Sequence, residues 1–125
     1  MRSMTRVLIV DDSNSHCETV ARMLKRHGYE AFKAKDAEHA LSVALEKNPD
    51  LILMDVVMPG PSGFEATRTL KANELTKHIP VVLLSAKQGM ADKHWGLQQG
   101  AAAYLAKPVQ EKQLLEALHT VLKRP

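Results

Sequence analysis

A single cysteine, Cys17, stands in 125 residues, which excludes an intrachain disulfide and a cysteine-rich zinc site and favours a reducing, cytoplasmic setting. Aromatic residues are almost as scarce. Tyr29, Phe32, Phe64, Trp95 and Tyr104 are scattered along the chain and form no platform on which bases could stack. No apolar run is long enough to cross a bilayer, and the four strongly apolar residues after Arg6 stop at two aspartates, so neither membrane insertion nor secretion is expected. Charge of one sign is also lacking: 17 Lys and Arg against 14 Asp and Glu leave +3, far short of the basic stripe that direct DNA binding needs. The six histidines, His16, His27, His39, His78, His94 and His119, are nowhere closer than 11 positions, which removes an i, i+4 zinc pair. Solvated surface is the reading for most of them.

What is present is ordinary for a globular chain, 45% hydrophobic and 25% charged. That is core enough for one domain without a staple and leaves no room for a second. Residues 1–125 are expected to form a single domain, with its core at 5–122 and no output domain.

Two kinds of segment alternate. Val7-Leu8-Ile9-Val10, Leu51-Ile52-Leu53-Met54 and Val81-Val82-Leu83-Leu84 are short all-apolar runs that suit strands covered on both faces. Tyr29 to Lys33 and Ala101 to Leu105 are weaker strands. Between them, Cys17, Val20, Ala21 and Leu24 fall at helical spacing with Gly28 as a stop, and Ala37, Ala40, Leu41 and Ala44 repeat the spacing behind Asp36 as an N-cap. Phe64 to Ala72 and Ala91 to Gln99 read as helices, and Gly96 inside the second points to close packing. Leu114, Leu115, Leu118, Val121 and Leu122 stripe the last helix. Five βα units with short connections give an α/β fold, a doubly wound parallel sheet with helices on both faces.

In such sheets the functional rim lies beyond the carboxyl ends of the strands. There stand Asp11, Asp12, Asp55, Ser85 and Lys107. Each alone has an ordinary role as an N-cap, a loop carboxylate, a turn former or a solvated charge. Together, three carboxylates against one lysine leave two uncancelled negative charges, which one divalent cation would neutralise. Carboxylate oxygens suit a hard ion such as Mg²⁺, and a metal beside a free aspartate suits phosphoryl transfer.

Four pieces in order resemble the receiver domains of two-component response regulators over Thr5 to Leu122. They are Val7 to Ser13, Leu53 to Gly60, Pro80 to Ala86, and Gly100-Ala101 with Tyr104 to Pro108. Trp95-Gly96 and Gln99-Gly100-Ala101 are most like the stand-alone receivers of type IV pilus twitching-motility systems. The resemblance implies a flavodoxin-like strand order 2-1-3-4-5, Asp55 as acceptor of a phosphoryl group from a sensor histidine kinase, and Mg²⁺ held by Asp12, Asp55 and the Val57 carbonyl. Asp11 would assist through water or charge. Lys107 would pair with a phosphoryl oxygen behind a cis bond to Pro108, and the Val56 and Ala86 backbone would contact the phosphate. Ser85 and Tyr104 would form the switch, and Trp95, Tyr104 and Gln110 would mark the surface offered to a downstream protein.

Ser62, Ala102 and Ala103 depart from the acidic residues that many receivers carry there, which bears on the partner and not on the chemistry. Val57 and Lys87 would flank the water that hydrolyses the aspartyl phosphate. Trp95 is either a packed ring or an exposed contact. Two other classes remain to be weighed: a flavodoxin-like carrier of a small ligand, and a phosphatase with an aspartate nucleophile. The first lacks a hydroxyl- and glycine-rich phosphate loop after strand one, and the second usually places its nucleophile there.

Overall fold

The computed structural model describes residues 4–86 and 90–123. Ten elements alternate along it: β1 (Arg6–Val10), α1 (Asn14–Arg26), β2 (Glu30–Ala34), α2 (Ala37–Lys47), β3 (Leu51–Asp55), α3 (Gly63–Ala72), β4 (Val81–Ser85), α4 (Met90–Gln98), β5 (Ala103–Ala106) and α5 (Glu111–Leu122). The strands form one parallel sheet in the order β2-β1-β3-β4-β5.

The apolar runs are continuous because both sheet faces are covered. Successive strand residues point to opposite faces. Val7, Ile9, Leu51, Leu53, Val82 and Leu84 pack with Cys17, Val20 and Leu24 of α1 and Leu114 and Leu118 of α5. Leu8, Val10, Ile52, Met54 and Leu83 pack on the other face with Ala40 and Ala44 of α2 and Ala66 and Leu70 of α3. Cys17 is a buried core residue, and burial pushes its thiol up to about 11, so it behaves as a small hydrophobe.

Helix ends follow the local chemistry. Ser13 caps α1 and Asp36 caps α2, each accepting the N–H three residues on. Gly28 takes a φ of +84° after α1, and Tyr29 N–H closes onto Leu24 O at 3.0 Å. β2 begins one residue later than the sequence indicates. β5 begins at Ala103 and not at Ala101, because the Ala101 N–H still closes the end of α4 on Gly96 O at 3.3 Å.

α3 starts with a capping box: Ser62 Oγ accepts the Glu65 N–H and Glu65 Oε1 accepts the Ser62 N–H. The helix can approach the end of β3 only through Gly63. A Cβ there would sit 2.3 Å from the Asp55 carbonyl oxygen and 2.8 Å from Val56 Cα, while the Gly63 N–H donates to Val56 O at 2.8 Å. The clash is with backbone, so no side-chain rotation relieves it. Gly63→Ala is therefore expected to destabilise the protein by roughly 2–3 kcal/mol in urea unfolding with an unchanged slope; a loss below about 0.5 kcal/mol would show that α3 shifts freely.

Candidate functional site

The strand order reverses at β1 and β3, whose connections leave in opposite directions and open a crevice at their carboxyl ends. Asp11 and Asp12 follow β1, Asp55 is the last residue of β3, Ser85 the last of β4, and Lys107 follows β5. One carboxylate oxygen from each of Asp11, Asp12 and Asp55 lies within 4.8 Å of the others. The Lys107 ammonium stands between two of them, 3.2 Å from Asp55 Oδ2 and 3.4 Å from Asp11 Oδ2. The Lys107 N–H holds the chain to β4 through Ser85 O at 2.9 Å, and the Lys107–Pro108 peptide bond is cis.

The carboxylates differ in what surrounds them. Asp55 is 5% exposed, and burial, with the nearby Asp11 charge, raises its carboxyl above the ordinary range against the pull of Lys107. Asp11 is 2% exposed, and burial also works to raise it. Hydrogen bonds outweigh that: Oδ1 accepts the Ser13 N–H at 2.9 Å and Oδ2 faces His16 Nδ1 at 2.5 Å, so with Lys107 its carboxyl is held low. Burial likewise works to lower Lys107, and its two aspartate partners outweigh this and raise it, keeping it charged. Asp12 is exposed and accepts no hydrogen bond or ion pair among the described residues.

This donor set fits a hard divalent cation. Asp12 and Asp55 offer oxygens, no sulfur ligand lies in the cluster, and the charges left by Lys107 are those a dication cancels. Asp11 is held more tightly at both oxygens, at 2.9 and 2.5 Å, where the contacts of Asp55 are 3.4 and 3.2 Å. The backbone assignment at Val56 needs correction: its N–H continues the sheet onto Leu84 O at 2.9 Å, and the N–H facing the Asp55 carboxylate is that of Val57, 3.4 Å from Oδ1. A residue that extends the ladder has committed its one amide proton. Val57 projects its side chain to solvent, 66% exposed.

Ser85 is buried beside the cluster, and Ala86 is exposed just beyond it. Lys87 lies outside the described residues. Tyr104 is half-buried, packed against the core and against Gly96 of α4, where an added Cβ would meet Leu83 Cδ1 at 2.7 Å and the Tyr104 ring at 3.3 Å. Trp95 resolves as an exposed side chain, 47% accessible, and Gln110 is the exposed N-cap of α5. His16 was missed by the sequence argument, which placed most histidines in solvent. Its position in the first turn of α1, five residues after Asp11, was the available signal.

Residues 7–119 match the family described as response regulator receiver domain. The chain is 44% identical to Protein PilH of Pseudomonas aeruginosa over 119 residues, 95% of this chain and 98% of that protein. It is 42% identical to the phosphate regulon transcriptional regulatory protein PhoB of the same organism, over 94% of this chain but only 52% of PhoB. The chemotaxis response regulator CheY4 of Vibrio cholerae superposes with a TM-score of 0.89 at 34% identity, covering 95% of this chain and 99% of that one.

The opposite perturbations of Asp55 and Asp11 separate two variants that charge counting alone would treat alike. Without metal, Asp55→Asn removes a disfavoured charge and is expected to stabilise the protein by about 1 kcal/mol at neutral pH, whereas Asp11→Asn weakens favourable hydrogen bonds and costs about 1–3 kcal/mol. A raised carboxyl binds its proton more tightly in the folded state, so the Asp55 contribution to stability falls as pH rises through its titration range, and that fall is absent in Asp55→Asn. Urea unfolding in chelator across the acid range reads both effects; equal and same-signed changes in the two variants would contradict the assignment.

Proposed function

The chain belongs to the response regulator receiver domain family, and from that membership we propose that Asp55 accepts a phosphoryl group from the phosphohistidine of a sensor histidine kinase. The observation that carries this reading is the Lys107 ammonium bridging a buried acceptor carboxylate and its neighbour at the sheet's reversal point.

In the transfer, an Asp55 carboxylate oxygen forms a bond to phosphorus as the phosphorus–nitrogen bond of the donor imidazole breaks, and the imidazole leaves with the electron pair. Asp55 suits this role because its environment disfavours the free carboxylate and holds Oδ1 only through the Val57 N–H at 3.4 Å. Lys107 is charged and placed to exchange its Asp55 contact for a phosphoryl oxygen, so stabilisation is already aimed where charge accumulates. Asp12, Asp55 and the Val57 carbonyl, with Asp11 in support, would hold Mg²⁺, which would supply positive charge to the phosphoryl oxygens. The carrier reading fails to compete because Asp11-Asp12 occupies the loop where a phosphate cradle would stand.

The acyl phosphate alters local charge by about −1 and draws the Ser85 hydroxyl toward it. Tyr104, paired in register with Leu83 on β4, follows Ser85 and alters the face around Trp95, Tyr104 and Gln110. On the same side a shallow groove of about 430 Å³ between β5 and α5 is lined by Tyr104, Leu105, Gln113 and Val121. A downstream protein reads this face, or the domain acts as a phosphate sink, and the likeness to PilH supports a role for that signalling in surface motility. Among the described residues no helix is long and apolar enough to cross a membrane.

Intact-mass spectra after acetyl phosphate and Mg²⁺ test the assignment. The unaltered protein gains one phosphate, Asp55→Asn gains none while keeping its fold, and Asp12→Ala needs at least about tenfold more Mg²⁺ for the same yield. A full adduct on Asp55→Asn would refute Asp55 as the acceptor.

A further inference from the structure

The aspartates of the cluster are not equally available. Asp12 accepts nothing among the described residues, whereas Asp11 has Oδ1 on the Ser13 N–H at 2.9 Å and Oδ2 shared between His16 Nδ1 at 2.5 Å and Lys107 Nζ at 3.4 Å. His16 reaches back from the first turn of α1 with only 18% of its side chain exposed. Its other ring nitrogen, Nε2, is buried and has no hydrogen-bond partner among the described residues. Burying an unsatisfied ring nitrogen is unfavourable, so the ring's polar contact with the protein is concentrated on Asp11.

We propose that His16 is a positioning residue of the acceptor site, holding Asp11 Oδ2 so that Asp11 acts on the cation without coordinating it and Lys107 stays shared with Asp55. This rests on the reading of the cluster as a Mg²⁺ site. Two opposite consequences follow from removing the imidazole. Asp11 Oδ2 becomes free to bind metal directly, which tightens Mg²⁺ binding. With Oδ2 taken by the cation, Asp11 no longer shares Lys107, and an ammonium held by Asp55 alone is slower to pass to a phosphoryl oxygen, which slows phosphoryl acceptance at saturating Mg²⁺. A merely structural loss at His16 would loosen the site and weaken metal binding, so the sign of the affinity change separates the two roles.

Calorimetric titration of Mg²⁺ alone into the unaltered protein, His16→Leu and His16→Asn tests this. Asn can keep a side-chain N–H near the Nδ1 position. The expected result is a roughly tenfold tighter Kd in His16→Leu, the scale on which contacts behind a metal ligand tune affinity, with His16→Asn within about twofold of the unaltered protein. Single-turnover phosphorylation by acetyl phosphate at saturating Mg²⁺ should be slower in His16→Leu and restored in His16→Asn. Unchanged or weaker Mg²⁺ binding in folded His16→Leu overturns the proposal. If that variant does not fold, carboxyl-carbon NMR shifts of the unaltered protein decide: Asp12 and Asp55 should move with Mg²⁺ and Asp11 least, and an Asp11 shift as large as that of Asp12 overturns it. Absence of any Mg²⁺ binding to the unaltered protein would refute the metal-site reading itself, and this proposal with it.

Discussion

Three carboxylates within 4.8 Å at the end of a buried parallel sheet repel one another, and the Lys107 ammonium between Asp11 and Asp55 is the counter-charge that makes the arrangement tolerable. The surrounding scaffold maintains that contact. β5 places Lys107 at the rim through its ladder with β4, and the Lys107 N–H on Ser85 O extends that ladder by one bond. β1 and β3 bring Asp11 and Asp55 side by side, register-locked from Val7↔Leu51 to Val10↔Met54. A one-residue slip would turn every side chain to the other face and separate the charges.

Lysine leaves the cluster with two uncancelled negative charges, and the protein distributes that excess unevenly. Asp11 is satisfied by Ser13, His16 and Lys107, Asp12 is open to solvent, and Asp55 is buried with its carboxyl raised. One carboxylate is thereby fixed, one is open to a cation, and one is destabilised as a free anion and poised to gain a bond. Like groups given unlike environments take unlike roles.

The strands were legible in the sequence because burial on both faces removes polar residues from a parallel strand, leaving runs such as Val7 to Val10 that few other structures produce. Asp11, Asp12, Asp55, Ser85 and Lys107 were legible because they directly follow or end those runs, and strand direction alone then gathers them. Asp36 as an N-cap and Gly28 as a helix stop were readable for the same local reason. The start of β5 was not, since Ala101-Ala102-Ala103 carries no pattern to separate a helix end from a strand. The commitment of the Val56 N–H to Leu84 O depends on how far β3 and β4 stay paired, which periodicity does not encode. Ser62 looked like a departure from an acidic position, though Ser62 and Glu65 carry the spacing of the capping box they form. His16 was missed for a different reason: its contact with Asp11 arises from the angle at which α1 leaves β1.

The most direct measurement is a crystal structure of the protein with Mg²⁺ and beryllofluoride, which stands in for the phosphoryl group on an aspartate. The account predicts beryllium bonded to an Asp55 oxygen, Lys107 Nζ within hydrogen-bond reach of a fluorine, and the cation on Asp12 and Asp55. Beryllofluoride bound at another carboxylate, or a Lys107 turned away from it, would contradict the claim that this cluster is built to accept and hold a phosphoryl group.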